Sequence, residues 1–424
     1  MRNLALPALT TSLAAALLAG CGESQPTIGA PGAALQTSAL AARATSTNYK
    51  VVYSFAGGSD GRNPNAGLVD VGGKLYGTTF AGGSYACTFY QTSGCGTVFS
   101  IRPSGTEKVL HSFGAYGRDA SSPRASLIDV GGTLYGTTEF GSYGCYGYYT
   151  DVYCGTVFRI TPSGAEKVLH TFSPNGSDGT SPLAGLINVK GTLYGTTEYG
   201  GSATCYPSHA CGTVFSITTG GTEGVVYSFR AHQDGARPYA GLIDVTGKLY
   251  STTDSGGAHG SGTVFRIGPG GKEKVLYSFT AAPDGAQPEA GLIDVNSTLY
   301  STTQSGGAYR CGSGVGCGTV FSVTPSGTEK VLHSFGNGTD GAGPRASLIE
   351  LNGNLYGTTT SGGEYNAGTV FSITPGGTER VLHSFNGTDG ANPYAALIAV
   401  KGLLYGTTEA GGAYNYGVVF SLKP

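Results

Sequence analysis

Residues 240–279 read AGLIDVTGKLYSTTDSGGAHGSGTVFRIGPGGKEKVLYSF. Four short apolar runs stand in this stretch: Ala240 to Val245, Lys248 to Thr253, Gly262 to Ile267 and Glu273 to Phe279. Gly-containing turns separate them. Runs of this length, punctuated by Gly, Asn, Asp and Pro, read as strands joined in antiparallel hairpins. The stretch therefore predicts one four-stranded antiparallel unit.

The same unit recurs along the chain. Leu-Tyr-Gly/Ser-Thr-Thr begins at Leu75, Leu134, Leu193, Leu249, Leu299, Leu355 and Leu404. Gly-Thr/Val-Val-Phe begins at Gly96, Gly155, Gly212, Gly262, Gly318, Gly368 and Gly417. A third run closes on Phe55, Phe113, Phe172, Phe229, Phe279, Phe335 and Phe385, and a proline follows each of them. Seven four-stranded units spaced 49 to 59 residues apart predict an all-β, seven-bladed propeller. An open solenoid is the rival, but solenoids carry atypical end caps and none is visible. Chain order favours a closed ring. The repeats begin with a lone fourth strand, residues 50–55, and stop after a third strand, residues 417–422. Pairing the two closes the ring and removes two exposed edges.

Leu-Tyr-Gly-Thr-Thr, then Gly-Gly, then Gly-Thr-Val-Phe-Ser-Ile, then Glu-Lys-Val-Leu-His-Ser-Phe resembles the GloVer tandem repeat. The resemblance covers residues 48–424. It implies a propeller displayed on a bacterial surface by one of several interchangeable anchors. It implies no catalytic residues.

The N-terminus reads as a processing signal. Arg2 precedes an apolar stretch from Leu4 to Leu18, too short and too early for an ordinary membrane span. It ends in Leu18-Ala19-Gly20-Cys21, which resembles the lipobox of bacterial lipoproteins. That resemblance implies cleavage before Cys21 and a lipid on its sulfur. Gly22 follows, with no Asp there to hold the protein at an inner membrane, so an outer-membrane or cell-surface location is implied. The chain thus divides into a signal peptide (1–20), a lipid-anchored flexible tether rich in small and polar residues (21–47), and the propeller (48–424).

The 424 residues carry a net charge of −2, and charged residues are only 12% of the chain. A nucleic-acid partner is excluded on that ground. The 74 glycines recur at fixed places and are not low complexity. Eight cysteines besides Cys21 fall in pairs, Cys87/Cys95, Cys145/Cys154, Cys205/Cys211 and Cys311/Cys317. Each pair lies between the second and third strands of one blade. The Leu-Tyr to Gly-Thr spacing is 19 to 21 residues in those four blades and 13 in the other three. Four intra-hairpin disulfides follow, as an oxidising compartment permits. Zinc is disfavoured, because no pair has Cys-x-x-Cys spacing and no histidine recurs beside them.

Two recurrent polar features read as framework. Asp60, Asp119, Asp178, Asp234, Asp284, Asp340 and Asp389 stand in the seven loops before the prolines. They read as turn residues bonding nearby backbone N–H groups, not as a ring of metal ligands. His111, His170, His333 and His383 share a slot with Tyr53, Tyr227 and Tyr277, which marks a packing position. No metal and no cofactor is expected.

Function is sought where the copies differ. The residues after the prolines are Asn65, Arg124, Leu183, Tyr239, Glu289, Arg345 and Tyr394. Those after Thr-Thr are Phe80, Glu139, Glu198, Asp254, Gln304, Thr360 and Glu409. Both sets belong to one face, around the mouth of the axial channel. Arg124, Tyr239, Glu289, Arg345, Tyr394, Glu139, Glu198, Asp254 and Glu409 form the candidate ligand site. Arg124 and Arg345 are expected to hold a carboxylate and Tyr239 and Tyr394 to stack on a ring, which fits an anionic or polyhydroxylated ligand. Tyr85, Tyr90, Tyr143, Tyr146, Tyr148, Tyr149, Tyr206 and Tyr309 on the long hairpins extend the surface. The expected function is a monomeric, non-catalytic binding or scaffold module for a glycan or surface-protein ligand. The alternative is a propeller polysaccharide lyase or glycosidase working in the funnel.

The anchor is directly testable. Mature protein is expected to begin at Cys21 and to fractionate with membranes, and Cys21→Ser is expected to abolish that fractionation. Soluble wild-type protein beginning at Gly22 contradicts the lipobox reading.

Overall fold

The computed structural model describes residues 48–87, 94–114, 120–141, 154–173, 177–201, 211–312 and 314–424. The signal peptide, Cys21 and the tether lie outside these residues. So do Asp119, Cys145, Cys205 and the hairpin tyrosines Tyr90, Tyr143, Tyr146, Tyr148, Tyr149 and Tyr206.

Seven four-stranded antiparallel sheets form the described chain, with a short pairing of Gly285–Ala286 and Ser305–Gly306 beside them. Blade 4 is representative, with an inner strand Ile243–Val245, a second strand Lys248–Thr253, a third strand Thr263–Ile267 and an outer strand Glu273–Ser278. The inner strand is shorter than its apolar run. Ala240 and Gly241 line the axis, where no further strand is present to pair with them, and Leu242 packs into the core between blades. The third strand lies between two partners and is buried along nearly its whole length, as in Thr97–Ile101 of blade 1. Its Thr-Val-Phe-x-Ile/Val composition suits a strand with both faces covered. The outer strands are half-buried along most of their length, with the second residue exposed. Every third-to-outer pairing carries a one-residue register shift, such as that between Val264 and Phe265.

Ring closure takes the expected form. Tyr49–Ser54 is the outer strand of blade 7 and pairs with Val418–Leu422, with Tyr49 opposite Leu422 and Ser54 opposite Val418. The first residue of this strand departs from the repeat. Six outer strands open with glutamate, whereas this one opens with Tyr49. The Tyr49 ring stacks on His383 of blade 6 at 3.8 Å, and its hydroxyl donates to the Asp389 carbonyl.

Two contacts repeat at all seven blade interfaces and a third at six of them. The phenylalanine ending each outer strand meets the third-strand phenylalanine of the next blade edge-on, from Phe55–Phe99 round to Phe385–Phe420, at 5.0–5.3 Å. These rings are fully buried, each contributing about 2–3 kcal/mol through area alone. The first threonine of each Thr-Thr pair donates its hydroxyl to the carbonyl of an alanine in the next blade's entry segment. Thr78 reaches Ala125, Thr196 reaches Ala240 and Thr407 reaches Ala66 across the closure. In blades 1–6 the turn before the outer strand also abuts its neighbour. Gly327, at positive φ, leaves room for the Leu276 carbonyl, and a Cβ there would come within 2.5 Å of it. The second threonine stays within its blade. In blades 1–6 its hydroxyl meets the threonine that opens the third strand, as in Thr253–Thr263 at 2.9 Å, and in blade 7 it accepts from the Val418 N–H.

The His/Tyr slot and the loop aspartates are framework, as expected. His170, His333 and His383 and Tyr53, Tyr227 and Tyr277 each hydrogen-bond the aspartate of their own loop, at 2.8–3.1 Å. The same aspartates accept from loop backbone N–H groups, such as Gly336 onto Asp340. Cys87–Cys95 and Cys311–Cys317 are bridged, with Cα–Cα distances of 5.2 and 5.1 Å. Cys154 and Cys211 are also disulfide-bonded, their expected partners lying outside the described residues.

Two predictions follow from the interfaces. Removing residues 48–55 strips blade 7 of its outer strand and re-exposes an edge, so it is expected to lower Tm far more than removing residues 22–45. Thr407→Val leaves the Ala66 carbonyl without its partner and is expected to cost about 1–3 kcal/mol in denaturant unfolding, with Thr407→Ser near wild type. A third prediction concerns pH. The carboxyls of Glu107, Glu273, Glu329 and Glu379, half-buried between blades, are pushed up to about 7, first by burial and then by loop aspartates. Between an unfolded value near 4.5 and about 7 the folded chain binds more protons, so these groups lower stability as pH rises through that window. Tm is expected to be a few degrees higher at pH 5 than at pH 8, and Gln at the four positions is expected to flatten the difference.

Candidate functional site

The seven loops that return from the rim to the axis share one backbone scheme. Each pairs with the segment after Thr-Thr, through bridges such as Arg62–Ala81, Ala236–Ser255 and Ala391–Ala410. The residue before each proline sits at positive φ, from +54° to +65°. Its carbonyl accepts from the residue after Thr-Thr, as Asp254 donates to Arg237 and Glu409 to Asn392. Its N–H is held where the preceding hairpin ends: Ser122 by the Cys95 carbonyl, Arg237 by Cys211 and Gly343 by Cys317. The cystines therefore brace hairpins that hold the funnel loops.

This scheme brings one post-proline residue per blade to a single axial pocket of about 150 Å³. Arg124, Tyr239, Glu289, Arg345 and Tyr394 line it together with Asn65 and Leu183. Small residues form its walls. An added Cβ at Gly67 would meet the Ser126 hydroxyl at 2.8 Å and the Ala396 carbonyl at 3.2 Å, so the axis admits little more than glycine, alanine or serine there.

The post-Thr-Thr acids lie beside the pocket residues and act on them. Glu139 pairs with Arg124. Glu198 and Asp254, only 3% and 2% exposed, are too buried to meet a ligand directly. Both hold Arg237, at 2.8 and 3.3 Å. Glu289 pairs with Arg345 at 2.9 Å, and the Gln304 amide, turned to satisfy both, donates to Glu289 and accepts from Arg345. Glu409 lies within electrostatic reach of Arg124 and Arg345. Each arginine also lies over an aromatic ring: Arg124 on Phe80 at 4.4 Å, Arg237 on Tyr239 at 5.5 Å and Arg345 on Tyr394 at 5.4 Å. Each of these three arginines is therefore matched by at least one carboxylate.

Burial raises the carboxyls of Glu139, Asp254 and Glu409 despite the arginines. It takes Glu289 to about 7, against the opposing pull of Arg345. Burial opposes the charge on Arg237, but hydrogen bonding to Glu198 and the Asp254 charge outweigh it and raise its pKa.

Sequence reasoning missed Arg237 and Tyr199, whose ring Arg237 also overlies at 5.8 Å. The signal for Arg237 was its slot, filled elsewhere by Asn, Ser, Gln or Gly, residues short or flexible enough for a left-handed turn. An arginine at φ +57° is out of place as framework. Among the described residues the exposed hairpin tyrosines are Tyr85, Tyr309, Tyr365, Tyr414 and Tyr416, three of them on or beside short hairpins without cystines. One further cluster, His170, Asp178 and Glu223, brings potential metal-ligating atoms within 4.8 Å of one another. It occupies the His/Tyr–Asp–Glu framework slot between blades 2 and 3 and does not line the axial pocket.

Comparison with curated proteins returns no match. Among solved structures, one described as a 6-phosphogluconolactonase from Bacteroides fragilis is 15% identical with a TM-score of 0.49, covering 80% of this chain and 88% of that one. A puromycin hydrolase is 14% identical with a TM-score of 0.50, covering 82% of this chain and 50% of that one. At such identities the likeness is one of fold alone. The repeat itself is more specific. Residues 38–208 and 206–420 each match the Gloeobacter/Verrucomicrobia repeat, and the chain belongs to that family.

Proposed function

We propose that this protein is a lipid-anchored propeller displayed at the bacterial surface, where its funnel face binds a glycan without cleaving it. One observation carries the reading. Seven blades alike in their framework contribute seven post-proline residues, mostly different, to one polar axial pocket. Framework needs account for the repeated residues and leave these unexplained.

The ligand class follows from the charges. Arg124, Arg237 and Arg345 are each engaged by a carboxylate. An anionic ligand would have to displace one. A neutral polyhydroxylated ligand can donate hydroxyls to the carboxylates and accept from the arginines while those pairs persist. A pocket of about 150 Å³ has room for one sugar unit, such as a chain end. The exposed tyrosines of the same face offer flat apolar surface for further units. Cystines and family membership support an extracellular setting.

The enzymatic alternative has one observation in its favour. A Glu289 carboxyl at about 7, at the pocket mouth, has the protonation range of a general acid. A panel of cell-wall and plant polysaccharides, scored for both retention and cleavage, separates the readings. Binding without chain shortening is expected. Arg124→Ala with Arg345→Ala is expected to weaken it at least tenfold with little change in Tm, because partly exposed charge pairs contribute little to folding. Cleavage that Glu289→Gln abolishes while retention persists establishes the enzyme instead.

A further inference from the structure

The two ends of the propeller differ in charge. Returning loops and second-to-third-strand hairpins form the funnel end, and the other hairpins form the opposite end. Among the described residues from 48 onward, the funnel end carries six Lys and Arg against twelve Asp and Glu. The opposite end carries fifteen against eleven, so the sign of the balance reverses. Six of those eleven acids are the glutamates that open outer strands, drawn half-buried between blades. Of the remainder, Asp70, Asp129 and Glu350 cap their own hairpins by accepting from Gly73, Gly132 and Gly353.

The cations recur by position. Lys50, Lys108, Lys167, Lys274, Lys330 and Arg380 stand second in six of the seven outer strands, all exposed. Lys167 lies directly opposite Arg159, and Lys274 opposite Arg266. Like charges facing each other across a ladder destabilise a sheet, so folding does not account for them.

The chain enters the propeller at this same end. Asn48 precedes the outer strand of blade 7, and its carbonyl accepts from Lys423 beside the last strand. We propose that the basic end is a docking surface for anionic, phosphate-bearing lipid, holding the propeller against the membrane with its funnel turned outward. This rests on the surface-anchored reading above. The 27 residues from 21 to 47, rich in small and polar types, would as a random coil span about 30 Å root-mean-square, which leaves the basic end free to reach the membrane surface and be held there over a screening length of about 10 Å.

The test uses residues 22–424, the mature chain without its lipid, in co-sedimentation with vesicles. Phosphatidylcholine containing one-third phosphatidylglycerol is compared with phosphatidylcholine alone. Preferential binding to the anionic vesicles, lost on raising salt, is expected. Lys108→Gln, Lys167→Gln, Lys274→Gln and Lys330→Gln together are expected to reduce it at least tenfold. Two of these changes relieve like-charge pairs, so folding is expected to survive, and Tm checks it. Arg230→Gln with Arg310→Gln, on the funnel end, is expected to leave binding unchanged. Equal binding to both vesicles overturns the proposal, as does undiminished binding by the folded quadruple variant. Should the quadruple variant unfold, the salt and lipid dependence of the unsubstituted chain decides. Because this protein carries no lipid, failure of anchoring is read separately, from membrane fractionation of the full chain and its Cys21→Ser variant.

Discussion

The hydroxyl of one threonine per blade, reaching into the next, is the contact on which the rest of the ring depends. Thr78, Thr137, Thr196, Thr252, Thr302, Thr358 and Thr407 each donate to an alanine carbonyl beside the axis. That carbonyl belongs to a segment with no strand on its axial side, so without the threonine it lacks a partner from the neighbouring sheet. The bond therefore joins two blades and fixes the residues that wall the pocket. The neighbouring threonine ties the second strand to the third, so the Thr-Thr pair serves one contact between blades and one within.

The fold was legible because the repeat is. Seven copies of Leu-Tyr-Gly/Ser-Thr-Thr, with a spare outer strand at one end and a missing one at the other, leave few arrangements besides a closed propeller. What the hydroxyls bond was not legible, since a threonine at the end of a strand reads equally well as a β-former. The acids opening the outer strands passed unnoticed for a similar reason. A glutamate after a glycine turn reads as solvated, and only the twist of adjacent blades brings Glu273 near Asp234.

The candidate site was legible in part. Looking for differences among copies found Arg124, Tyr239, Glu289, Arg345 and Tyr394, and the structure gathers all five around one pocket. It separates Glu198 and Asp254 from the pocket itself, because the residue after Thr-Thr is tied by its backbone to the loop in front of it. That tie orients their carboxylates toward Arg237. The expectation of arginines open to a carboxylate ligand changes for the same reason: an acid fills that role at each of the three.

Tyr49 at the closing strand has a mechanical consequence. A load entering the propeller at Asn48 meets an outer strand running from that end toward the funnel. Its five paired residues are then loaded in parallel, in shear, and not peeled one at a time. Before the ladder is stressed, the force passes through a ring wedged against His383 and a hydroxyl fastened to Asp389. Part of the pull is thereby handed to blade 6. The entry of the chain into the propeller is thus secured to two blades at once.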